Sequence, residues 1–415
     1  MSTEIWRGDN DAVAQVDTNT IGGTIEVGDE FIITMNGKVF QYTAASTSAD
    51  TERTALVTAF NLLTIPEFTE ITAANAAATG AYTLTADTAG VPFTQTPTTT
   101  ESGGGGADAQ THAKASTTAN AGPAVWEADN FATGSIPGAS DEVYLDNTSN
   151  PVKYGLDQSS AGTLSSLTIR AGFTADVGLP EYNSDGTEYY EYRGTFFQIN
   201  STAINIGEGE GSGSGRVKID WDALASTVNV YSTGSSSESD VNSLVLTDLA
   251  SSSVINLFDG TVDVDRFGGQ TSTLTTLNMA GGTIRTGDGT TLTTMNVNGG
   301  TAEFNTAMAT LTMDNTAAVT LMHASGTVTT VNLRAGTLSC RCGGTITTLL
   351  VGSGGFLDMS QSILALTITN CTLEAGATIS DPNGLLTFSN AIDLGDTGLN
   401  DVSLELGRGV NILPS

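Results

Sequence analysis

The sequence has few positive charges. It contains 14 lysines and arginines against 45 aspartates and glutamates, which gives a formal net charge of -31 at pH 7. A chain with this balance repels the phosphates of nucleic acids and of anionic lipid surfaces. We therefore expect neither nucleic acid nor a membrane as a partner.

Cysteines and long apolar runs are also scarce. The three cysteines, Cys340, Cys342 and Cys371, fit neither a disulfide framework nor a zinc-binding pattern. Cys340 and Cys342 share a strand face with Leu338, so we interpret them as small buried apolar residues. No stretch approaches the ~20 apolar residues of a membrane span, and residues 1–6 lack the features of a signal peptide. We expect synthesis in a cytoplasm, even if the destination of the protein lies outside the cell.

Residues suited to catalysis are sparse. The two histidines lie 211 positions apart, and no serine or cysteine nucleophile motif accompanies either. Enzymes that cleave polysaccharides need paired carboxylates. The candidate carboxylates of this sequence do not recur at the same position of successive sequence repeats, so we interpret them as solvated surface charges. We predict no catalytic, cofactor-binding or metal-binding residue; the residues considered were His112, His323, Glu303, Asp314, Asp358 and Glu374.

What the sequence does contain is a six-residue phrase that occurs six times between Leu274 and Ile368. Its first copy is Leu-Thr-Thr-Leu-Asn-Met, and the opening residues of successive copies are 18, 16, 20, 18 and 17 positions apart. Repetition at this period is typical of solenoid proteins, in which each copy buries its apolar face only against its neighbours. The copies open at Leu274, Leu292, Met308, Val328, Ile346 and Ile363.

The spacing inside the phrase predicts strands. Leu277 and Met279 are two residues apart and point to one face, whereas Asn278 points to the other. Glycines after several copies, such as Gly281-Gly282 and Gly354-Gly355, predict turns with positive φ. The C-terminal part should form a parallel β-helix of about 18 residues per coil. One buried column should contain Leu277, Met295, Leu311, Val331, Leu349 and Leu366.

The N-terminal part predicts a small α+β domain of order β-β-α-β-β. Asn36-Gly37 between two apolar runs predicts a hairpin with a two-residue type I′ turn. Asp50 should cap a helix that extends to about Leu63, with Leu56, Phe60 and Leu63 on one face. Strands should follow at 68–73, 81–86 and 91–96, with a further strand near 109–118. We assign residues 1–122 to this domain, including a Gly/Thr-rich loop or linker at about 97–122.

The β-helix should occupy residues 123–415. Its first segment contains Trp126, Phe131 and Pro137, which are suited to plugging the open end of a solenoid. Degraded copies of the phrase open at Leu164, Ala225, Val241 and Leu399, with Val262 and Val264 as a further degenerate copy. An aromatic, Gly-rich insertion interrupts the array at about 181–216. Its aromatic residues could contact a glycan or anchor a protein interface, or could pack on the solenoid flank; they are Tyr182, Tyr189, Tyr190, Tyr192, Phe196 and Phe197.

The chain resembles the virion surface proteins of tailed bacteriophages. The resemblance rests on the hairpin phrase Val27–Thr43, on residues 82–93, on the solenoid-opening segment from Trp126 and on the Thr/Asn/Gly-rich repeats. It implies a non-enzymatic structural protein at the virion surface, made in the cytoplasm of the host, in which residues 1–122 dock on the capsid shell of the particle and the β-helix projects outward. It also implies a homotrimer.

Within this class we favour a capsid decoration protein or head fibre. The alternative is a tail fibre or tailspike that binds or cleaves glycans on the host surface. A bacterial surface adhesin is a third reading, against which the absence of a signal peptide weighs.

Overall fold

The computed structural model describes residues 2–101, 109–180, 193–221, 224–236, 242–267, 269–322, 328–395, 398 and 401–407. The chain is mainly β, as the sequence predicts, with a parallel β-solenoid of about 11 turns and a small N-terminal β-rich domain. Two separate hydrophobic cores correspond to these two units. One extends along the solenoid from Trp6 to Leu386, and the other lies inside the N-terminal domain between Ile21 and Phe93.

The N-terminal domain consists of two antiparallel sheets and two helices. The sheets have the strand orders β5-β6-β2-β8 and β4-β3-β7. The elements are β2 (Val16–Gly23), β3 (Glu30–Met35), β4 (Lys38–Thr43), α1 (Ala49–Phe60), α2 (Pro66–Thr69), β5 (Ile71–Asn75), β6 (Ala81–Ala86), β7 (Gln95–Thr100) and β8 (Gln110–Thr118).

The hairpin and the helix form where the sequence predicts them. Met35 pairs with Lys38, and Asn36 and Gly37 have φ values of 49° and 82°, as a type I′ turn requires. The helix cap differs from the prediction, because the Ser48 hydroxyl accepts the Thr51 N–H at 3.4 Å. Asp50 lies inside the helix.

Three predicted boundaries in this domain differ from the structure. The strand expected at 68–73 is found at Ile71–Asn75, because α2 occupies Pro66–Thr69. The strand expected at 91–96 is found at 95–100, because Pro92 lacks the N–H that a ladder needs. The loop or linker expected at about 97–122 contains the end of β7, which pairs with β3. It also contains β8, which pairs with β2 and confirms the strand expected near 109–118. Within this region residues 102–108 lie outside the described residues.

The first strand, β1 (Thr3–Trp6), belongs to the solenoid. It pairs in parallel with β9 (Glu142–Leu145), with Trp6 opposite Leu145. The assignment of residues 1–122 to one N-terminal domain is therefore wrong for this strand. The domain is inserted between two strands of the solenoid, and the chain enters and leaves it where Val13 and Ala121 form an antiparallel bridge.

Two sheets extend along the solenoid. We call the sheet that contains the repeated phrase the phrase sheet. Besides β1 and β9, its strands are β10 (Ser166–Arg170), β12 (Ala203–Glu208), β14 (Thr227–Val230), β16 (Ser253–Leu257), β18 (Ser272–Met279), β20 (Thr290–Val297), β22 (Met308–Met313), the first halves of β24 (Val328–Cys340) and β25 (Gly344–Asp358), β26 (Leu366–Leu373) and β28 (Leu386–Phe388).

The second sheet, which we call the return sheet, receives the chain after the glycine turns. Its strands are β11 (Phe197–Gln198), β13 (Val217–Asp220), β15 (Leu244–Thr247), β17 (Thr261–Val264), β19 (Thr283–Thr286), β21 (Thr301–Phe304), β23 (Ala318–Leu321), the second halves of β24 and β25, β27 (Thr378–Asp381) and β29 (Ser403–Leu406). Short 3-10 helices lie at Ala128–Asn130 and Ser159–Ala161.

The buried column of the phrase sheet follows the repeated phrase. Leu277, Met295, Leu311, Val331 and Leu349 are successive partners, and each is fully buried. Leu366 is not in this column, because Leu349 pairs with Cys371 and Leu366 pairs with Gly344. The coil between Leu349 and Cys371 contains an added turn, at which Ile363 is 89% exposed.

The coil length also differs from the prediction over the whole solenoid. The sequence predicts about 18 residues per coil, and the structure has turns about 22 residues apart. The prediction describes the regular part, where Leu277 and Met295 are 18 residues apart, whereas Val228 and Ile255 are 27 apart. The longer coils carry loops between the two sheets.

Several degraded copies of the phrase lie on the return sheet instead of the phrase sheet. Leu244, Val262 and Leu404 lie in β15, β17 and β29 of the return sheet, so the prediction that these copies are rungs of the phrase sheet is wrong. The actual rung between Val228 and Leu277 is Ile255. The predicted insertion at 181–216 also contains a regular rung, β12, which pairs with β10 and β14.

Glycine turns join the phrase sheet to the return sheet. Gly282 and Gly300 have φ values of 76° and 85°, and a Cβ atom on either would lie within 2.6 Å of a carbonyl oxygen of the preceding coil. Gly354 and Gly355 were expected to adopt positive φ, but they lie within β25 and do not. Gly355 is instead required by space, because a Cβ atom would lie 2.4 Å from the Leu333 oxygen.

Candidate functional site

An aromatic cluster closes the first coil of the solenoid. The rings of Trp6 and Trp126 are stacked with centroids 5.6 Å apart, and Phe131 packs edge-on against both. The Trp6 indole N–H donates to the Asn150 carbonyl at 3.1 Å. The sequence predicts the roles of Trp126 and Phe131 but not that of Trp6, which reaches the cluster from the other side of the inserted domain.

A cleft of about 600 Å³ lies where the inserted domain meets the solenoid. Arg193 spans this junction: its guanidinium donates to the Glu70 carboxylate at 2.7 Å and to the Pro92 carbonyl at 2.9 Å. Its charge also lies 5.9 Å from the centre of the Tyr154 ring. These contacts hold Glu70 and Pro92 of the inserted domain against the first coils.

The six aromatic residues predicted to contact a glycan or a protein partner divide into two groups. Tyr182, Tyr189, Tyr190 and Tyr192 lie outside the described residues, and their role stays a prediction. Phe197 is fully buried with its ring centre 4.6 Å from that of Trp126, so it offers no surface to a partner. Phe196 is half-buried and packs edge-on against Phe267, with ring centres 6.0 Å apart.

Phe196 and Phe267 also cover a buried lysine on the return sheet. The Lys218 ammonium lies 5.6 Å from the centre of the Phe196 ring and 5.0 Å from that of Phe267, and the residue is fully buried. The negative faces of aromatic rings attract a cation, and they do so more strongly where water is excluded. Phe196 therefore packs on Lys218 within the structure, a contact that the polar residues around it in the sequence do not indicate.

The carboxylates considered from the sequence do not converge. Glu303 lies on the outward column of the return sheet, and Asp314 faces Arg334 at 3.8 Å. Asp358 accepts the Ser360 N–H at 2.8 Å, and Glu374 is exposed. Among the described residues, no group of three or more His, Cys, Asp or Glu is arranged to hold a metal ion.

Two of the buried carboxylates of the solenoid, Asp263 and Asp265, bind side chains of neighbouring coils. Asp263 receives the Arg285 guanidinium at 2.9 and 3.1 Å and the Asn242 amide at 2.8 Å. Asp265 accepts hydroxyl hydrogen bonds at 2.8–3.1 Å from Thr247, Ser272 and Thr290. Burial raises the pKa of Asp265, although the three hydroxyl donors oppose the shift. Both groups are saturated by side chains of neighbouring coils and tie those coils together.

His112 lies in the inserted domain. Its Nδ1–H donates to the Thr98 carbonyl at 3.2 Å, and its Nε2 accepts the Tyr82 hydroxyl at 2.6 Å. Burial lowers the pKa of His112 to about 4, so the ring is neutral at pH 7. His323 lies outside the described residues.

The outer face of the phrase sheet carries a ladder of asparagine side chains, with one amide in each of five successive coils. Each amide nitrogen donates to the amide oxygen of the preceding coil at 2.9–3.0 Å, and the first donates to the Thr168 hydroxyl at 3.2 Å. The ladder consists of Asn205, Asn229, Asn256, Asn278 and Asn296. Asn278 therefore points outward as predicted, and the corresponding asparagines of the other four coils do the same.

The fold and these contacts define a parallel β-solenoid with a domain inserted into its first coil. Comparison with known protein families, curated protein sequences and solved structures finds no match to this chain. No helix among the described residues is long and apolar enough to cross a membrane.

Proposed function

We propose that this protein is a non-enzymatic structural component of a bacteriophage virion, a capsid decoration protein or head fibre. In this proposal the N-terminal domain docks on the particle, and the solenoid projects outward as a homotrimer. The observation that carries the proposal is the arrangement of a compact domain at one end of a rod. Its supports are the bridge between Val13 and Ala121 and the contacts of Arg193 with Glu70 and Pro92.

The rod itself is suited to a spacer. About 11 coils at the ~4.8 Å spacing of neighbouring strands give a length of roughly 50 Å. A continuous apolar core, the asparagine ladder and the buried pair of Asp263 and Arg285 join successive coils. A rod of this kind would hold its far end at a fixed distance from the surface on which the domain sits.

The homotrimer is proposed from geometry. A single solenoid leaves long flanks on which identical copies could pack around a three-fold axis. Sedimentation equilibrium of the full chain at micromolar concentration tests this part separately. A trimer mass supports it, and a monomer mass over the whole concentration range would contradict it.

Electron microscopy tests the location. Particles from a culture that produces the protein are purified and labelled with gold-conjugated antibody raised against the full chain. Label over the head supports capsid decoration. Label confined to the tail would instead support the tail fibre or tailspike alternative, and particles without label would contradict a virion role.

Docking through the N-terminal domain has its own test. The full chain is added to particles from which it has been stripped, in the presence of antibody against the solenoid or against residues 16–100. Only the second antibody should prevent rebinding. Inhibition by the solenoid antibody alone would assign docking to the rod.

A further inference from the structure

Two exposed aromatic rings stack on the outer face of the phrase sheet. Tyr231 and Phe258 have ring centres 5.1 Å apart and planes 8° from parallel. They are 40% and 47% exposed, although each directly follows a fully buried apolar residue, Val230 or Leu257. The pair therefore presents an aromatic surface to solvent in the middle of an otherwise polar face.

The backbone ladder defines what lies next to the pair. The N–H of Phe258 donates to the Val230 carbonyl, that of Ala280 to the Leu257 carbonyl and that of Asn298 to the Met279 carbonyl, each at 2.8 Å. Tyr231, Phe258, Ala280 and Asn298 are therefore neighbours in one column. Ala280 and Asn298 are exposed.

This column contains a slot that is one ring wide. A ring that stacked on the outer face of Phe258 at the distance of the existing pair, 5.1 Å, would lie over Ala280, whose methyl group leaves the position open. Asn298, one coil further, would then face the other side of that ring, because neighbouring strands are about 4.8 Å apart. Among the described residues, the side-chain amide of Asn298 has no hydrogen-bond partner, whereas its backbone N–H belongs to the ladder.

The described residues at the rim of the slot, Asn278, Asn298 and Asp259, are polar. Asn278, two residues before Ala280, donates one amide N–H to Asn256 and retains a second. Asp259 is exposed beside Phe258. Protein interfaces are depleted in aspartate and enriched in arginine and large apolar residues around their aromatic anchors. An aromatic wall surrounded by amides and a carboxylate is better matched to a sugar, whose C–H face is apolar and whose edge carries hydroxyls.

We propose that Phe258, Ala280 and Asn298 form a binding slot for one neutral pyranose ring of a glycan. The ring stacks on Phe258, lies over Ala280 and hydrogen-bonds through its hydroxyl groups to Asn298 and Asn278. Asp259 and the net charge of -31 disfavour sugars that carry carboxylates or sulfates. The proposed slot uses none of the aromatic residues of 181–216, and it does not depend on the virion proposal.

Saturation-transfer NMR with the full chain tests the slot. The probes are methyl glycosides of neutral hexoses, 6-deoxyhexoses and N-acetylhexosamines, with a methyl glucuronide as the charged comparison. At least one neutral probe should receive saturation on the C–H face of its ring, and the glucuronide should receive less.

Four variants locate the binding. Phe258→Ala should weaken it about tenfold, because it removes the stacking wall. Asn298→Ala should weaken it about fivefold through loss of a hydrogen bond. Ala280→Tyr should abolish it, because a third stacked ring fills the slot at an exposed position. Ile363→Ala, which truncates another exposed apolar side chain of the solenoid, is the matched control and should bind as the native chain does.

Three results would overturn the proposal. The first is no saturation of any neutral glycoside by the native chain. The second is binding that both Phe258→Ala and Ala280→Tyr leave unchanged while their circular dichroism and melting temperatures match those of the native protein. The third is self-association of the native chain that Phe258→Ala abolishes without any sugar binding, which would assign the aromatic pair to a contact between copies.

Discussion

Leu349→Asp tests the register of the solenoid core. Leu349 is fully buried, with Val331 and Cys371 as its partners in the preceding and following coils. Removal of a buried leucine side chain costs about 2–5 kcal/mol through lost burial and the cavity that remains. An unpaired carboxylate in the same place adds about 3–5 kcal/mol unless it takes up a proton. The change should therefore cost more than about 5 kcal/mol of unfolding free energy, a large part of the ~5–15 kcal/mol that stabilises a typical domain.

The assay should resolve single coils, because coils of a solenoid contact only their neighbours and can unfold locally. Hydrogen exchange read by mass spectrometry should show lost protection in β24, β25 and β26 and retained protection in the inserted domain. Thr348→Asp is the matched control, since the adjacent Thr348 is exposed, and it should leave protection unchanged. Native protection and a native melting temperature in Leu349→Asp would refute the assigned register.

Four further outcomes are expected. Asn256→Ala should cost about 1–2 kcal/mol of stability, measured by urea unfolding, because it breaks two hydrogen bonds of the asparagine ladder; no change would mean that water replaces them. Ile363→Asp should leave the melting temperature unchanged, since Ile363 is 89% exposed. A loss of several kcal/mol of unfolding free energy would instead support the register predicted from the sequence, in which Ile363 opens a rung. The folded state lowers the pKa of His112 from 6.5 to about 4, so the contribution of the neutral ring to the free energy of unfolding is complete above pH 6.5. This contribution, about 3 kcal/mol, is lost as the pH falls from 6.5 toward 4. Hydrogen exchange of the β8 amides at several pH values, in the native chain and in His112→Gln, would measure the loss, and identical pH profiles would contradict the prediction. Arg193→Ala should widen the distribution of distances between the inserted domain and the solenoid, measured by spin labels, and an unchanged distribution would show that Glu70 and Pro92 are held without it.

The sequence predicts the regular part of the solenoid because there each coil contains one phrase and one short connection to the return sheet. Between Leu277 and Leu349 the coil length varies little, so counting positions aligns the buried residues correctly. Beyond Leu349 counting fails. Leu366 and Ile368, and then Cys371 and Leu373, offer two apolar pairs on one strand, and both are buried in β26. The spacing within the two pairs is the same, so spacing alone does not select between them. The added turn at Ile363 places the second pair opposite Leu349 and Val351.

Contacts between remote parts of the chain are less predictable. Thr3–Trp6 is a four-residue strand without the repeated phrase, and only its pairing with β9 shows that the solenoid begins before the inserted domain. Ala203–Glu208 likewise lacks the Thr-Thr pair of the regular copies. In both strands the alternation of buried residues is present, but it is too short to distinguish a solenoid rung from a strand of the other domain.

The aromatic slot shows the same dependence on coil length. Tyr231 and Phe258 are 27 residues apart, and they become neighbours only because one coil of the irregular part has that length. A uniform 18-residue coil would have placed each ring beside a different residue and left neither stacked. The regular coils therefore supply a rigid column of positions, and the irregular ones decide which side chains meet on its surface. For this reason a binding site on this solenoid is more easily found from the ladder of backbone hydrogen bonds than from the repeated phrase.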